Sequence, residues 1–531
     1  MEKVHSVLCF LGLSLVLLFG REAEGQPSTQ KGGGAESRFG IDYVFALSPG
    51  YQKEIWPRTY AQTKAGWVNF ARMSWAALEP RPPVRGVHRY RWKPLDRSVR
   101  LWQQYGFHIA ISLRLAKGWF AGPIRYRPEL FSGRLGERAL LHTDRLPADE
   151  YRDDYRAWIR ALVERYDGDG QEDMPGLRYP VLHYQVGNEY ANPVFWTGTF
   201  EDYQVLLAET RRAARQACPQ VQIISQGIRW NDLFHDDPKA EHFEERFAAF
   251  LRRLPNDAWR ESWRKAREFT ERTVALAGLY DILDAGGNGP HPTMSAGYMQ
   301  WVRRELAKHG LTTTIWDLEA RCEPRLVLNP VVGFHPELTV PGGQGILQAL
   351  KQKSNPLHQR AVAWYRAEQA RILVKVFVTR FAAGFEKVFM GMASDWDRTP
   401  GAFSTPNPFL GLLDRKGKPW PAFYALQLLV EKIDGFARAD KMPAPEGVEL
   451  YRFTFAARRP EIWVAWLTEE KVRGLDDPLP VKRVLLRGLT GPVTVWTTPT
   501  TGRAKRGKRR GKSGEEVVVE LSPTPLLVQR E

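Results

Sequence analysis

From Phe39 to about Met392, short runs of β-branched and aromatic residues alternate with longer amphipathic segments, the rhythm of repeated strand–helix units. Eight runs predict strands, over residues 39–47, 68–73, 108–113, 181–186, 221–225, 280–284, 312–318 and 387–392. Helical periodicity occupies stretches between them, such as 151–166, 200–217 and 358–383. Eight units in this order predict an α/β chain closed into a (β/α)8 TIM barrel with long loops. After Gly417-Lys418-Pro419 and a last helix over 420–433 the texture changes. Runs at 448–455, 462–467, 482–486, 493–498 and 516–521, separated by turn residues, predict a small C-terminal antiparallel β-sandwich. The expected division is a barrel over 38–435 and an accessory β-sandwich domain over 436–531.

At the N-terminus an apolar run over 7–19 follows Lys3 and precedes the small-x-small site Ala23-Glu24-Gly25. The run is too short to cross a bilayer and reads as a secretory signal peptide over 1–25, so the mature protein is expected to be secreted or periplasmic. Residues 26–37, with Gly32-Gly33-Gly34, read as a flexible lead-in. Cys9 leaves with the signal. Cys218 closes a helix at the bottom of the expected barrel and Cys322 follows a strand at its top. A strand's length of ~17 Å separates those faces, against a disulfide limit near ~7 Å between Cα atoms, so no bridge is expected.

In a (β/α)8 barrel the chemistry sits where strands end. Strand two ends in Arg72, strand four in Gly187-Asn188-Glu189-Tyr190, and strand seven in Trp316-Asp317-Leu318-Glu319. His291 follows strand six, and strand eight leads into Ser394-Asp395-Trp396-Asp397. Two glutamates across one barrel mouth are the ingredients for cleaving an acetal. One carboxylic acid protonates the leaving oxygen, and the other attacks the anomeric carbon or activates a water.

The Gly187-Asn188-Glu189 segment, the Trp316-Asp317-Leu318-Glu319 strand end and Arg72 resemble the retaining (β/α)8 glycoside hydrolases of clan A, over about residues 39–435. The stretch from Asn188 to Trp196, continued by Thr199-Phe200-Glu201-Asp202-Tyr203, is most similar to their β-xylosidase and α-L-iduronidase subgroup. The resemblance implies Glu189 as general acid/base, Glu319 as nucleophile, Asn188 as holder of the sugar 2-hydroxyl, and Arg72 as the cation that orients the nucleophile and keeps it ionised. His291 and Trp396 match a subsite histidine and a stacking aromatic. Tyr190 stands where the family usually has Pro, and Ala320-Arg321 replaces a small turn, which bears on substrate choice more than on mechanism. Retention implies carboxyl groups ~5 to 5.5 Å apart. The expected partner is a plant or microbial carbohydrate; a non-catalytic carbohydrate- or polyanion-binding barrel is the alternative.

Composition adds two biases. Lys plus Arg is 76 against 60 Asp plus Glu, a formal net charge of +16, and 19 tryptophans exceed ordinary usage. These invite polyanion binding and ring stacking respectively. Seven positive residues fall between Arg503 and Lys512, in what reads as a hairpin tip flanked by the runs at 493–498 and 516–521. Its two near-matches to a phosphate loop lack the Ser/Thr position or the spacing, so nucleotide and nucleic acid are not expected. A solvated turn is the simpler reading, with contact to an anionic polysaccharide or envelope surface as the alternative. Asp167-Gly168-Asp169-Gly170 reads as a polar turn, and the proposed reaction requires no metal or organic cofactor. Trp75, Trp196, Trp316 and Trp396 fall at or near strand ends, which favours the ring-stacking reading.

Overall fold

A computed structural model describes residues 36–531 apart from 117, 126–142, 193–194, 229–230, 236–238, 255, 287–294, 328–337, 397–408, 457–458 and 469–471. The expected signal peptide, most of the lead-in and His291 lie outside the described residues.

Eight parallel strands close a barrel in sequence order: β1 Phe39–Val44, β2 Trp67–Ser74, β3 His108–Arg114, β4 His183–Val186, β5 Gln222–Ile224, β6 Ile282–Asp284, β7 Thr314–Ala320 and β8 Lys387–Met390. Each expected strand is present. β1 stops three residues earlier than expected because the ladder with β2 shifts register between Ile41 and Val44, where Tyr43 takes a left-handed φ of 60°. Similar shifts interrupt β2 between Phe70 and Met73 and β7 between Asp317 and Ala320. Bulges re-aim side chains, and all three lie at or just before the C-terminal ends of their strands.

The barrel interior is layered. Its lower end is plugged by Trp67, Ile224, Ile282, Trp316, Leu318 and Phe389. His183 stacks on Trp316 at 5.1 Å, and Lys387 Nζ sits 4.8 Å above the Trp67 ring. Above the plug runs a polar relay from β1 to β6. Asn69 Nδ2 donates to Asp42 Oδ1 (2.8 Å), and Gln185 Nε2 donates to Asp284 Oδ2 (2.6 Å). Between them Ser112 Oγ lies 3.1 Å from Asn69 Oδ1 and 2.6 Å from Gln185 Oε1.

Burial, then the nearby Lys387 charge, lowers the His183 pKa to about 3. A depressed folded-state pKa means that the neutral ring's contribution is present above the unfolded value near ~6.5 and is lost as pH falls toward the folded one. Stability measured by denaturant titration should therefore decline between pH 6.5 and about 3, and His183→Gln should flatten that slope.

The C-terminal domain is a sandwich of a six-stranded antiparallel sheet, in order β14-β13-β16-β11-β10-β9, and a two-stranded one, β12-β15. The strands are β9 Arg438–Lys441, β10 Val448–Thr454, β11 Ile462–Leu467, β12 Lys482–Thr490, β13 Val493–Thr497, β14 Lys508–Arg510, β15 Glu516–Leu521 and β16 Leu526–Arg530. β11, Ile-Trp-Val-Ala-Trp-Leu, is buried along its whole length. Trp463, Ala465 and Leu467 pack into the sandwich core, while Ile462, Val464 and Trp466 join the main core that also holds the barrel and its helices. A strand that reads as continuously apolar is one with both faces covered.

Two features differ from expectation. The run at 493–498 does not pair with that at 516–521: β13 pairs with β14, and β15 crosses to β12 in the other sheet. The basic segment is thus half loop and half edge strand, with all seven cationic side chains exposed. Among the described residues its one ion pair is Arg509 with Glu531 (2.9 Å). Charge on an edge strand blocks sheet-to-sheet association. The other difference is that β9, β14 and β16 were not anticipated.

Cys218 and Cys322 are both free, with no bridge between them as expected, and both are buried. The polar turn brings the carboxylates of Asp167, Asp169 and Asp173 together, and Asp173 accepts from the backbone N–H groups of Gly168 (3.0 Å) and Gly170 (2.8 Å).

Candidate active site

Glu319 and Asn188 meet at the upper end of the barrel. Tyr43 Oη donates to Glu319 Oε1 (2.5 Å), Asn188 Nδ2 donates to Oε2 (3.1 Å), and Arg321 Nη1 lies 3.7 Å from Oε1. Three groups of matching polarity therefore face one carboxylate and stabilise its negative charge. Glu189, the residue after Asn188, is 2% exposed and Glu319 6%, so both carboxyl groups sit in a largely water-excluded environment. A small cleft, open to solvent, is lined by Glu319 and Asn188 together with Asp42, Tyr43, Asn69, Arg72, Arg114 and neighbours.

The backbone holds this arrangement under tension. Tyr43 (φ 60°), Arg72 (φ 59°) and Glu189 (φ 50°) are left-handed non-glycine residues; the first two lie within the last three residues of β1 and β2, and Glu189 follows β4. Such residues cost on the order of 1–3 kcal/mol each and cluster at functional sites. Gly187, at φ 85°, permits the turn that presents Asn188 and Glu189, and a Cβ there would strike the Tyr190 ring at 2.3 Å. Tyr190 itself donates from Oη to Asp144 Oδ2 (2.8 Å), and Asp144 Oδ2 pairs with Arg114 Nε (2.6 Å). Tyr190 thus anchors the support of a cleft arginine.

Asp317 and Glu323, the other carboxylates near Glu319 in sequence, are engaged elsewhere. Asp317 Oδ2 accepts from Arg380 Nε (2.9 Å) on the helix His358–Ala383, and Glu323 Oε1 accepts from Arg321 Nε (3.0 Å). The β7 ladder shifts register between Asp317 and Ala320, and Asp317 Oδ1 accepts from the Glu319 N–H (3.1 Å).

Arg72 lines the cleft with an exposed side chain, and its guanidinium carbon lies 6.0 Å from the Phe45 ring. It forms no ion pair with a described residue; the guanidinium within ion-pair distance of Glu319 is that of Arg321. Trp396 is half-buried and meets Tyr43 (6.0 Å) and Phe45 (5.9 Å), one ring away from Glu319. The other three tryptophans read as strand-end candidates are core instead. Trp75 stacks on Phe120 (4.0 Å), Trp196 on Tyr190 (4.4 Å) and Trp316 on His183. Each is at most 2% exposed, so the tryptophan surplus is mostly packing.

Tyr43, Asp42, Arg114 and Arg321 complete the site without having been anticipated. Tyr43 supports the best-defined prediction among them. Removing its hydroxyl by Tyr43→Phe deletes a hydrogen bond to a charged acceptor, worth ~1.5–3 kcal/mol. kcat/KM should fall by about 10- to 150-fold while the denaturant midpoint changes little, provided that the carboxylate is the reacting group.

No family model and no curated protein matches this chain. Solved structures do. The fold is similar to that of a GH39 enzyme from Xanthomonas axonopodis pv. citri, with a TM-score of 0.53 at 12% identity over 93% of this chain and 94% of that one. It is similar also to a monomeric beta-xylosidase from Caulobacter crescentus CB15 (TM-score 0.50, 15% identity, 93% and 96% covered). A third is a GH30 endoxylanase from Clostridium papyrosolvens C71 (TM-score 0.50, 11% identity, 93% and 97% covered). At these identities the likeness establishes a shared fold, a closed (β/α)8 barrel carrying a C-terminal β domain.

Proposed function

We propose that the protein is a retaining glycoside hydrolase that cleaves O-glycosidic bonds of a plant or microbial polysaccharide or oligosaccharide, with Glu319 as nucleophile and Glu189 as acid/base. The observation that carries this reading is the Glu319 carboxylate, held on both oxygens by Tyr43 and Asn188 beside a solvent-open cleft, with Glu189 next in sequence to one of its donors. In the first step a Glu319 oxygen bonds to the anomeric carbon as the bond to the leaving oxygen breaks, and Glu189 gives that oxygen its proton. In the second, Glu189 takes a proton from water, the water oxygen bonds to the anomeric carbon, and Glu319 is released.

Arg72 and Trp396 serve as sugar contacts in this reading, as does His291. Export through the N-terminal signal places the activity outside the cytoplasm. The exposed cationic edge from Arg503 to Lys512 supports a secondary hold on an anionic polysaccharide. Proteins of similar fold are named as a beta-xylosidase and an endoxylanase, so aryl xylosides and xylan head the substrate panel. The test is product analysis of that panel, with the anomer released first identified by NMR. Release of the substrate's own anomer supports the reading; the opposite anomer overturns retention, and glycan binding without turnover supports a non-catalytic barrel.

A further inference from the structure

We propose that Arg114 and Asp42 together read two hydroxyl groups of the sugar ring that Glu319 attacks, Arg114 through its Nη edge and Asp42 through Oδ2. The inference rests on the hydrolase reading above and adds the residues that choose among sugars. Both side chains line the cleft that Glu319 lines, and both are more than nine-tenths buried.

Arg114 ends β3, and its Nε faces Asp144 at 2.6 Å. Asp144 is itself fixed by the Leu115 N–H on Oδ1 (3.0 Å) and by the Tyr190 hydroxyl on Oδ2 (2.8 Å). That pairing engages one side of the guanidinium. Neither Nη makes a hydrogen bond with a described residue, and Nη1 is buried. A buried cationic donor without an acceptor is a standing cost that a ligand oxygen in the cleft would remove.

Asp42 comes from β1. Its Oδ1 accepts from Asn69, the first link of the relay through Ser112 and Gln185 to Asp284, and the one other hydrogen bond that its carboxylate receives among the described residues is from the Tyr43 backbone N–H. Burial and the Glu319 charge push the Asp42 carboxyl above the usual carboxylate range. A sugar hydroxyl both donates and accepts, so it can pair with a carboxyl oxygen held at this position. Asn188 reaches Glu319 at Oε2 from β4, whereas Tyr43, next to Asp42, reaches Oε1 from β1. Asp42 therefore serves a ring position other than the one facing Asn188. Donors and acceptors held by buried supports are pre-organised, and such sites discriminate by penalising the sugar that lacks the matching group.

The experiment measures kcat and KM for wild type, Asp42→Ala, Asp42→Asn and Arg114→Lys on an aryl glycoside that wild type cleaves and on its 2-, 3- and 4-deoxy analogues. Asp42→Asn retains a neutral donor of the same shape and controls for folding; Arg114→Lys retains the charge beside Asp144. Asp42→Ala should lower kcat/KM roughly 10- to 100-fold on the parent, and that loss should vanish on one deoxy analogue other than the 2-deoxy. Asp42→Asn should lose less than Asp42→Ala on the parent, and its loss should vanish on the same analogue. Arg114→Lys should show a similar loss that vanishes on a different analogue. Equal losses on every analogue, or Asp42→Ala matching wild type on the parent, overturns the inference and leaves the hydrolase reading standing. A strong preference of wild type for uronides that Arg114→Lys abolishes overturns it too, since the cation then reads a carboxylate. Absence of any glycoside turnover by wild type sinks both readings.

Discussion

Replacing Glu319 by Gln is expected to lower turnover of every cleaved substrate by on the order of 10⁵-fold, because the covalent step of the proposed mechanism then has no nucleophile. The chain should remain folded. Glu319 is buried, so the substitution is not a surface change, but Gln fills the same volume and its one carbonyl oxygen can still accept from Tyr43 or from Asn188. It also removes a charge that raises the pKa values of Asp42 and Asp284. The denaturant midpoint should therefore hold or rise, the trade common where a site stores unfavourable electrostatics. Glu189→Gln should behave differently. Loss of the proton donor costs ~10²- to 10⁴-fold on substrates with poor leaving groups and little in the first step on activated aryl glycosides, whose leaving group needs no proton. Steady-state assays on both substrate types for both variants separate the roles. Comparable losses for Glu189→Gln on both types would assign the acid elsewhere.

The largest stability effect is expected at Arg366, far from the cleft mouth in sequence but tied to the strand-eight loop. Its guanidinium is 2% exposed and stacks 4.3 Å from the Trp420 ring. Nη2 donates to Asp395 Oδ2 (2.7 Å), and Nη1 donates to the carbonyls of Phe409 (2.6 Å) and Gly411 (3.0 Å) and to Gln369 Oε1 (3.0 Å). Arg366→Met leaves the Asp395 carboxyl buried without its cation, which costs ~3–5 kcal/mol. Burial already raises Asp395 to about 6 against the opposing pull of Arg366. Without that pull the carboxyl holds its proton to higher pH, and a neutral acid tolerates burial better. The deficit in denaturant midpoint should thus be largest near neutrality, shrink below pH 6, and be partly recovered by adding Asp395→Asn. A pH-independent deficit would mean that the carbonyl contacts, not the ion pair, dominate.

How much of this was legible in the chain varies by physical cause. The eight barrel strands were readable because each buries its side chains and so carries an apolar run; only their ends moved, and most where a bulge intervenes. Arg438–Lys441 and Lys508–Arg510 escaped because they lie at the two edges of their sheet, held by backbone pairing with a neighbour, and have no apolar alternation to betray them. Leu526–Arg530 lies inside the same sheet but is a short run after Ser-Pro-Thr-Pro, which reads as turn.

In the cleft, Asn188 and Glu319 were placed by strand ends and by resemblance, and the structure brings the two into contact. Tyr43 read as one more apolar member of β1; nothing in Phe-Gly-Ile-Asp-Tyr-Val announces a left-handed residue that turns a strand aromatic onto a carboxylate. Arg321 reads in the sequence only as a departure from a small turn after Glu319, although an arginine two residues from a candidate carboxylate is a signal that it faces that carboxylate. The tryptophans misled for a simpler reason: position along a strand says how high a side chain sits, not whether it faces the cleft or the shell of helices.

β11 shows why the two halves of the chain are poor candidates for separate lives. Half of its side chains belong to one core and half to the other, so cutting at the boundary between barrel and sandwich would strip a covering layer from the barrel and leave Ile462, Val464 and Trp466 on the surface of the remainder. The C-terminal domain is therefore no interchangeable module of the kind that recombination shuffles between enzymes. Any chain that inherited it would have to inherit a barrel wall shaped to receive it, and the two surfaces are constrained to change together.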